Sequence, residues 1–315
     1  MKYEILGNTG LSVSRMCFGS LSISPLQANL SLAEGAAVIR YALERDVNFI
    51  DTAKLYNNYA YIKEALKGWT RPVVLAGKSY DYTAEGMKKS LEEMRLALDR
   101  DYIDIFMLHE QESAQTLAGH KAALEYLLEA KSQGLIKAAG VSTHAVNVIW
   151  ASLDQEAIEV IHPIVNMQGL GLLDGTLPEL LAALEAAYER GKGIYGMKAL
   201  GGGNLIPQAY EALRFAFELP YLHSVAVGCK LKEEVDYNLS VLAGETPAES
   251  LSAQLQDVPR RLLIEEWCTG CGACVERCPF GLLEIRNGKT ALKQDRCLLC
   301  GYCAAACPQF MIKVI

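Results

Sequence analysis

Most of the chain alternates short apolar runs with longer amphipathic segments, and this alternation restricts the fold more than any other feature. Strand-length runs separated by helical segments are the signature of parallel strands joined by helical crossovers. In order, SRMCFGSLSI, NFID, VVLAGK, IDIFMLH, IKAAGVSTH, HPIVNMQ, GIYGMKAL and HSVAVGC read as eight strands. Between them LAEGAAVIRYALER, NYAYIKEALKGW, TAEGMKKSLEEMRLALDR, KAALEYLLEAKSQG, AVNVIWASL, LPELLAALEAAYERG and PQAYEALRFAFEL read as helices, and KLKEEVDYNLSVLAGE as an eighth. Each is amphipathic enough to cover a strand from outside. Ser31 and Glu34 form a capping box at the first helix, and Gly134 closes the fourth. Eight such units make a (β/α)8 barrel, for which about 250 residues is the usual size.

In such a barrel the C-terminal ends of the strands face the mouth, where chemistry takes place. The stretch NFIDTAKLYNNY stops on Asp51 and Thr52, and Tyr56 follows in the next loop. VVLAGK puts Lys78 at the end of the third strand, and IDIFMLH puts His109 at the end of the fourth. Any one of these alone reads as a cap or a solvated charge. Their order and positions together make them a candidate site.

These residues carry a resemblance to the aldo-keto reductases, through YEILGNTGLSVSRMCFGS, NFIDTAKLY, LAGKS, DYIDIFMLH, GVSTH and MKALGGGNL. The resemblance implies a (β/α)8 barrel that moves a hydride between NAD(P)H and a small carbonyl or alcohol substrate. It also implies that Asp51, Tyr56, Lys78 and His109 form the catalytic tetrad. A hydride arriving at carbon leaves negative charge on oxygen, so a donor must meet that oxygen. Tyr56 is the family's acid. A phenol titrates near about 10, and a neighbouring ammonium such as Lys78 is expected to lower that value. Asp51 would hold Lys78 charged and oriented, and His109 would bond the substrate oxygen.

For the cofactor the resemblance implies Gly19 at the first strand end, Asp51, and Ser142 with Thr143 at the fifth, Thr143 standing where the family usually has Asn. Asn166 or Gln168 follows at the sixth; both would share one face of a strand, so spacing does not choose between them. Gly201, Gly202 and Gly203 would let the backbone approach the pyrophosphate, with Lys198 pairing to it, or would form a plain turn. NADPH-preferring members carry Arg about four positions before the residue that here is Asn238, and this chain has Glu234. A carboxylate repels a 2′-phosphate and accepts a bond from a ribose 2′-hydroxyl, so the reading leans to NADH over NADPH. Lys230 and Lys232 are near enough to reverse it. Among the remaining histidines, His120 is placed in a helix, His162 and His223 at strand starts away from the chemistry, and only His144 is singled out. Cys17 and Cys229 read as small apolar fillers.

Between about Gly244 and Pro259 the chain turns polar and small, and then reaches WCTGCGACVERCPF. Cys268, Cys271, Cys274 and Cys278 follow C-x2-C-x2-C-x3-C-P, and Cys297, Cys300, Cys303 and Cys307 repeat it. The pattern resembles bacterial ferredoxins, in which the fourth Cys of each run ligates the cluster held mainly by the other. The resemblance implies one [4Fe-4S] cluster on Cys268, Cys271, Cys274 and Cys307, and another on Cys278, Cys297, Cys300 and Cys303. Disulfides belong to secreted chains, and zinc sites space their cysteines differently. The expected division is a barrel over 1–257 and a small α+β ferredoxin-like domain over 258–315.

A net charge of -7 and a pI near 5.4 speak against a nucleic-acid partner, which would need clustered Lys and Arg. The start MKYEILGNTG has no apolar signal region, and no run of about eighteen apolar residues follows, so neither export nor a membrane span is expected and the protein reads as cytoplasmic. The expected function is an oxidoreductase whose tail relays electrons to or from a redox partner, a ferredoxin or a flavoprotein. The alternatives are a carbonyl reductase with structural or oxygen-sensing clusters, and a non-catalytic cofactor-sensing or electron-carrier subunit. Cubane clusters pass single electrons while a nicotinamide takes a hydride. Direct exchange would therefore call for a converter such as a flavin, for which the sequence carries no fingerprint.

Overall fold

A computed structural model describes residues 1–256, 259–294, 297 and 299–315. The eight barrel strands are β1 (Met16–Gly19), β2 (Phe49–Asp51), β3 (Val74–Ser79), β4 (Ile103–Gln111), β5 (Ile136–Thr143), β6 (Val160–Pro163), β7 (Gly193–Met197) and β8 (Ser224–Gly228). They close in chain order, β8 pairing with both β7 and β1, and every pair is parallel. The strands are near-continuous apolar runs because helices cover their outer faces while the barrel interior fills the inner ones. The capping box forms as expected, with the Glu34 amide donating to Ser31 Oγ and the Ser31 amide to Glu34 Oε2, at the start of the helix Leu32–Glu44.

A hairpin not foreseen in the sequence, Tyr3–Ile5 against Ser12–Ser14, precedes the barrel. The Asn8 amide donates to the Gly191 carbonyl ahead of β7 and the Ser14 amide to Asn48 Oδ1 ahead of β2, which places the hairpin at the N-terminal ends of the strands. Leu6, Leu11 and Val13 join Cys17, Phe49, Val74, Met107 and Tyr195 in the interior cluster. One end of the barrel is thus stoppered by apolar side chains, and the other is left for polar ones. The first strand stops at Gly19, shorter than the expected run, and Ser20–Ile23 continues as a 3-10 turn.

The polar stretch that begins near Gly244 contains a helix, Glu249–Gln256. The expected domain boundary at 257/258 lies outside the described residues. Beyond it β9 (Leu262–Ile264) pairs antiparallel with β12 (Ile312–Val314), and β10 (Leu283–Arg286) forms a hairpin with β11 (Lys289–Leu292). Two short helices, Ala273–Arg277 and Tyr302–Ala305, each start after a left-handed glycine, Gly272 and Gly301. Cys274, Leu283, Cys303 and Ile312 form the small core between them. Among the described residues no helix is long and apolar enough to cross a membrane.

Candidate active site

Asp51 ends β2 opposite Ala76 of β3, and Lys78 lies two residues further along the same inner face. Both are buried. Lys78 Nζ donates to Asp51 Oδ1 at 2.5 Å and to the Thr52 carbonyl at 2.9 Å. The Tyr195 hydroxyl donates to the same carboxylate oxygen at 2.8 Å. A buried ion pair holds only when further hydrogen bonds offset its desolvation, and here Thr52 and Tyr195 supply them. His162 stacks on Tyr195 with ring centroids 3.9 Å apart, and its Nε2 stands 3.7 Å from Asp51 Oδ1. The placement of His162 away from the chemistry is therefore corrected. Strand β6 spans only Val160–Pro163, so His162 is next to its C-terminal end and shares the inner face with Val160.

Tyr56 ends the short turn Lys54–Tyr56 that follows β2. Its ring lies 5.4 Å from Lys78 Nζ and edge-on to the His109 ring at 5.8 Å. Burial, then the charges of Asp51 and Glu110, push the phenol well above its ordinary value. The expectation that Lys78 would lower it is not met, because the Lys78 charge is matched by Asp51 and burial dominates. Tyr56 is a phenol that keeps its proton. His109 is stacked on Tyr80 at 4.2 Å, and burial followed by the Lys78 charge holds it well below 6.5, as neutral imidazole.

A second set of polar groups stands beside these four, of which sequence reasoning singled out Ser142 and His144 and missed Glu110, Gln111 and Tyr80. Glu110 follows His109 with a left-handed backbone, φ 51, and its amide donates to Ser142 Oγ at 2.7 Å. Its carboxylate accepts from the Tyr80 hydroxyl and lies 3.5 Å from His144 Nε2. Burial alone would raise Glu110, but Lys198, His109 and the Tyr80 bond outweigh it and keep the carboxyl low. His109 Nδ1, Gln111 Oε1 and His144 Nε2 are buried without a hydrogen-bond partner. Unsatisfied groups gathered at adjacent strand ends are what a polar ligand would satisfy. A residue with positive φ next to the strand-end His109 was the available signal, but it is visible only in the fold.

The residues expected at the cofactor are mostly engaged within the chain. Thr143 Oγ1 donates to the Gln111 carbonyl at 2.6 Å and accepts the Ala145 amide at 2.9 Å. Asn166 and Gln168 do not share a strand face, since β6 has ended and a turn begins. Asn166 binds both the amide and the carbonyl of Leu170 at 2.9 Å, while Gln168 is exposed. Glu234 Oε2 accepts the amides of Lys230 and Leu231 at the start of the helix Lys232–Leu242. Asn238 is buried with its amide on Cys229 Sγ, and Gly19 packs against the backbone of Gly228. Cys17 and Cys229 are both buried, Cys17 in the interior cluster of the barrel and Cys229 just past β8.

Gly201, Gly202 and Gly203 all have positive φ, and their space is used by the tail. A Cβ on Gly202 would stand 2.6 Å from the Phe310 ring, and one on Gly203 2.7 Å from the Val314 carbonyl oxygen. Lys198 lies under the same ring, its Nζ 4.8 Å from the centroid, and burial pushes it down to about 8 against the pull of Glu110. The glycine turn thus admits a strand of the tail where a pyrophosphate was expected. With the tail docked, Phe310 and Val314 take the room beside the turn that a pyrophosphate would need.

The cysteines surround two pockets. One is lined by Cys268, Cys271, Cys274 and Cys307 with Thr290 and Ile312; the other by Cys278, Cys297, Cys300 and Cys303 with Leu283 and Leu292. Each pocket takes its fourth thiol from the other run. Among the described residues no three ligating side chains are drawn tightly enough for a single metal ion. Amides of Leu282, Leu299 and Met311 donate to the sulfurs of Cys278, Cys297 and Cys307. Four soft thiol donors per pocket, apolar walls and N–H···S bonds fit a cubane cluster.

Comparison with known proteins places these features. Residues 15–218 match the family described as "Aldo/keto reductase family", and residues 262–308 match "4Fe-4S dicluster domain". The L-galactose dehydrogenase of Arabidopsis thaliana is 26% identical over 260 residues, covering 76% of this chain and 81% of that protein. The uncharacterized oxidoreductase YqkF of Bacillus subtilis (strain 168) is 25% identical over 300 residues, 84% of this chain and 94% of its own. The solved structure of the aldo-keto reductase AKR11C1 from Bacillus halodurans, holo form, superposes with a TM-score of 0.67 at 21% identity, covering 81% of this chain and 95% of that one. At that identity the likeness is one of fold.

Proposed function

The chain belongs to the aldo/keto reductase family, and on that footing we propose that it interconverts a small carbonyl compound and its alcohol at the barrel mouth, with NAD(P)H as co-substrate and two [4Fe-4S] clusters in the tail that exchange electrons with a redox partner. The observation that carries the reading is the convergence of Tyr56, His109, Lys78 and Asp51 where β2, β3 and β4 end.

Tyr56 keeps its proton through burial and the nearby carboxylates, so it delivers that proton to an oxygen on which negative charge develops. Lys78, fixed by its bond to Asp51, packs against the ring and holds it in place. Neutral His109, with a ring nitrogen free of protein partners, bonds the same substrate oxygen. A reduced nicotinamide supplies the hydride in such chemistry. Cys268, Cys271, Cys274 and Cys307 would hold one cluster and Cys278, Cys297, Cys300 and Cys303 the other, which together would carry single electrons.

Replacing Tyr56 by Phe tests the tetrad: carbonyl turnover should fall about 10²- to 10⁴-fold while the reduced-cluster EPR signal stays intact. Undiminished turnover sinks the assignment. Adding NADH or NADPH anaerobically and following the same EPR signal tests the circuit, and comparing KM for the two nucleotides tests the lean to NADH. Clusters that stay oxidised favour a second reading, in which they brace the tail; the packing of the tail on the mouth through Phe310 supports that one.

A further inference from the structure

The tail lends the barrel mouth a side chain of its own. Phe310 is 2% exposed, and the loops after three barrel strands receive it. After β5, His144 meets the ring edge-on at 6.3 Å. After β6, Gly171 lies so near that a Cβ there would stand 1.5 Å from the ring. After β7, Lys198 and Gly202 lie against it, and Gly203 makes room for the Val314 carbonyl behind. Gly171, Gly202 and Gly203 have φ of +79°, +64° and +98°, so glycine serves both their conformation and the space. A ring seated among three loops, two of which give up a side chain to hold it, is a built seat.

Lys198 and the left-handed backbone of Gly201, Gly202 and Gly203 are groups of the kind that meet a pyrophosphate, and the ring lies against them. We infer that Phe310 is a specificity-determining residue of the barrel site: with the tail docked it fills the cleft between His144, Gly171, Lys198 and Gly202 and holds a dinucleotide out. Tyr56 remains half-buried rather than sealed, open to a compact substrate. Docking of the tail and binding of the dinucleotide then exclude each other. The inference rests on the mouth being the reaction site.

The test uses the full chain purified anaerobically, with both clusters verified by EPR, and equilibrium dialysis against NADH and NADPH. Phe310→Ala should bind at least one of them about tenfold or more tighter than the unaltered protein. Ile285→Ala, an exposed change on the tail hairpin, should match the unaltered protein. Equal or weaker binding by Phe310→Ala, or no binding by either protein, overturns the inference. Should Phe310→Ala lose its clusters, Phe310→Leu replaces it, and a cluster-intact Leu variant without tighter binding overturns the inference equally. Loss of turnover in Tyr56→Phe alongside unchanged binding in the Phe310 variants would remove this inference and leave the tetrad standing.

Discussion

Gly171 and Phe310 come from opposite domains and share one volume: a Cβ added to the glycine would lie 1.5 Å from Cε2 of the ring. The contact joins the turn between Cys307 and β12 to the loop that follows β6, and it makes the tail part of the barrel's upper wall.

Substituting Gly171 by Ala should therefore undock the tail. The methyl group meets the ring, and φ +79 is strained for any L side chain. Overpacking of this kind costs about 1–3 kcal/mol. Amide exchange in Ile312–Val314 should accelerate while the barrel strands keep their protection. Unchanged exchange in that strand would show that the contact does not hold the tail.

The ion pair of Lys78 and Asp51 predicts an asymmetry between single and double replacements. Lys78→Met leaves a buried carboxylate with Tyr195 as its remaining close donor and should cost about 3–5 kcal/mol in urea unfolding. Lys78→Met with Asp51→Leu should recover much of that stability and none of the turnover. A double variant as unstable as the single one would mean that the damage comes from packing.

Acid should destabilise the barrel through its buried histidines. Burial lowers His162 to about 4 and holds His109 and His144 well below 6.5, although Asp51 partly opposes the shift at His162. The unfolded chain then binds protons that the folded one refuses. Stability is full above about pH 6.5 and is lost as pH falls towards 4, by roughly 3 kcal/mol for His162. Unfolding free energies measured across that window should slope accordingly, and His162→Phe should flatten the slope. An unaltered slope would reject His162 as a source.

The crossed cysteine sets predict which cluster each replacement removes. Cys307→Ser should abolish the cluster of Cys268, Cys271 and Cys274, and Cys278→Ser that of Cys297, Cys300 and Cys303, each with loss of about half the iron. EPR of the reduced proteins distinguishes them, because Thr290 contacts the sulfurs of Cys268 and Cys274 only. Loss in Cys307→Ser of the same signal that Cys300→Ser removes would contradict the crossing.

The strand order, the capping box at Ser31 and Glu34 and the strand-end positions of Asp51, Lys78 and His109 were legible along the chain. Each follows from a local period or a local hydrogen bond. The grouping of the cysteines was legible too, through a repeated spacing that one fold satisfies. Other features were not. His162 and Tyr195 reach Asp51 only because barrel closure turns the inner faces of β6 and β7 towards β2. Tyr56 keeps a high pKa because burial outweighs a lysine whose charge Asp51 has matched, a balance of surroundings that no spacing encodes. Gly201, Gly202 and Gly203 announce a turn with room beside it, but what fills the room comes from the far end of the chain. By itself the sequence determined which backbone elements form and which residues end them. Tertiary structure decided what each of those residues faces, because burial, charge balance and shared volume arise only between segments that the fold brings together.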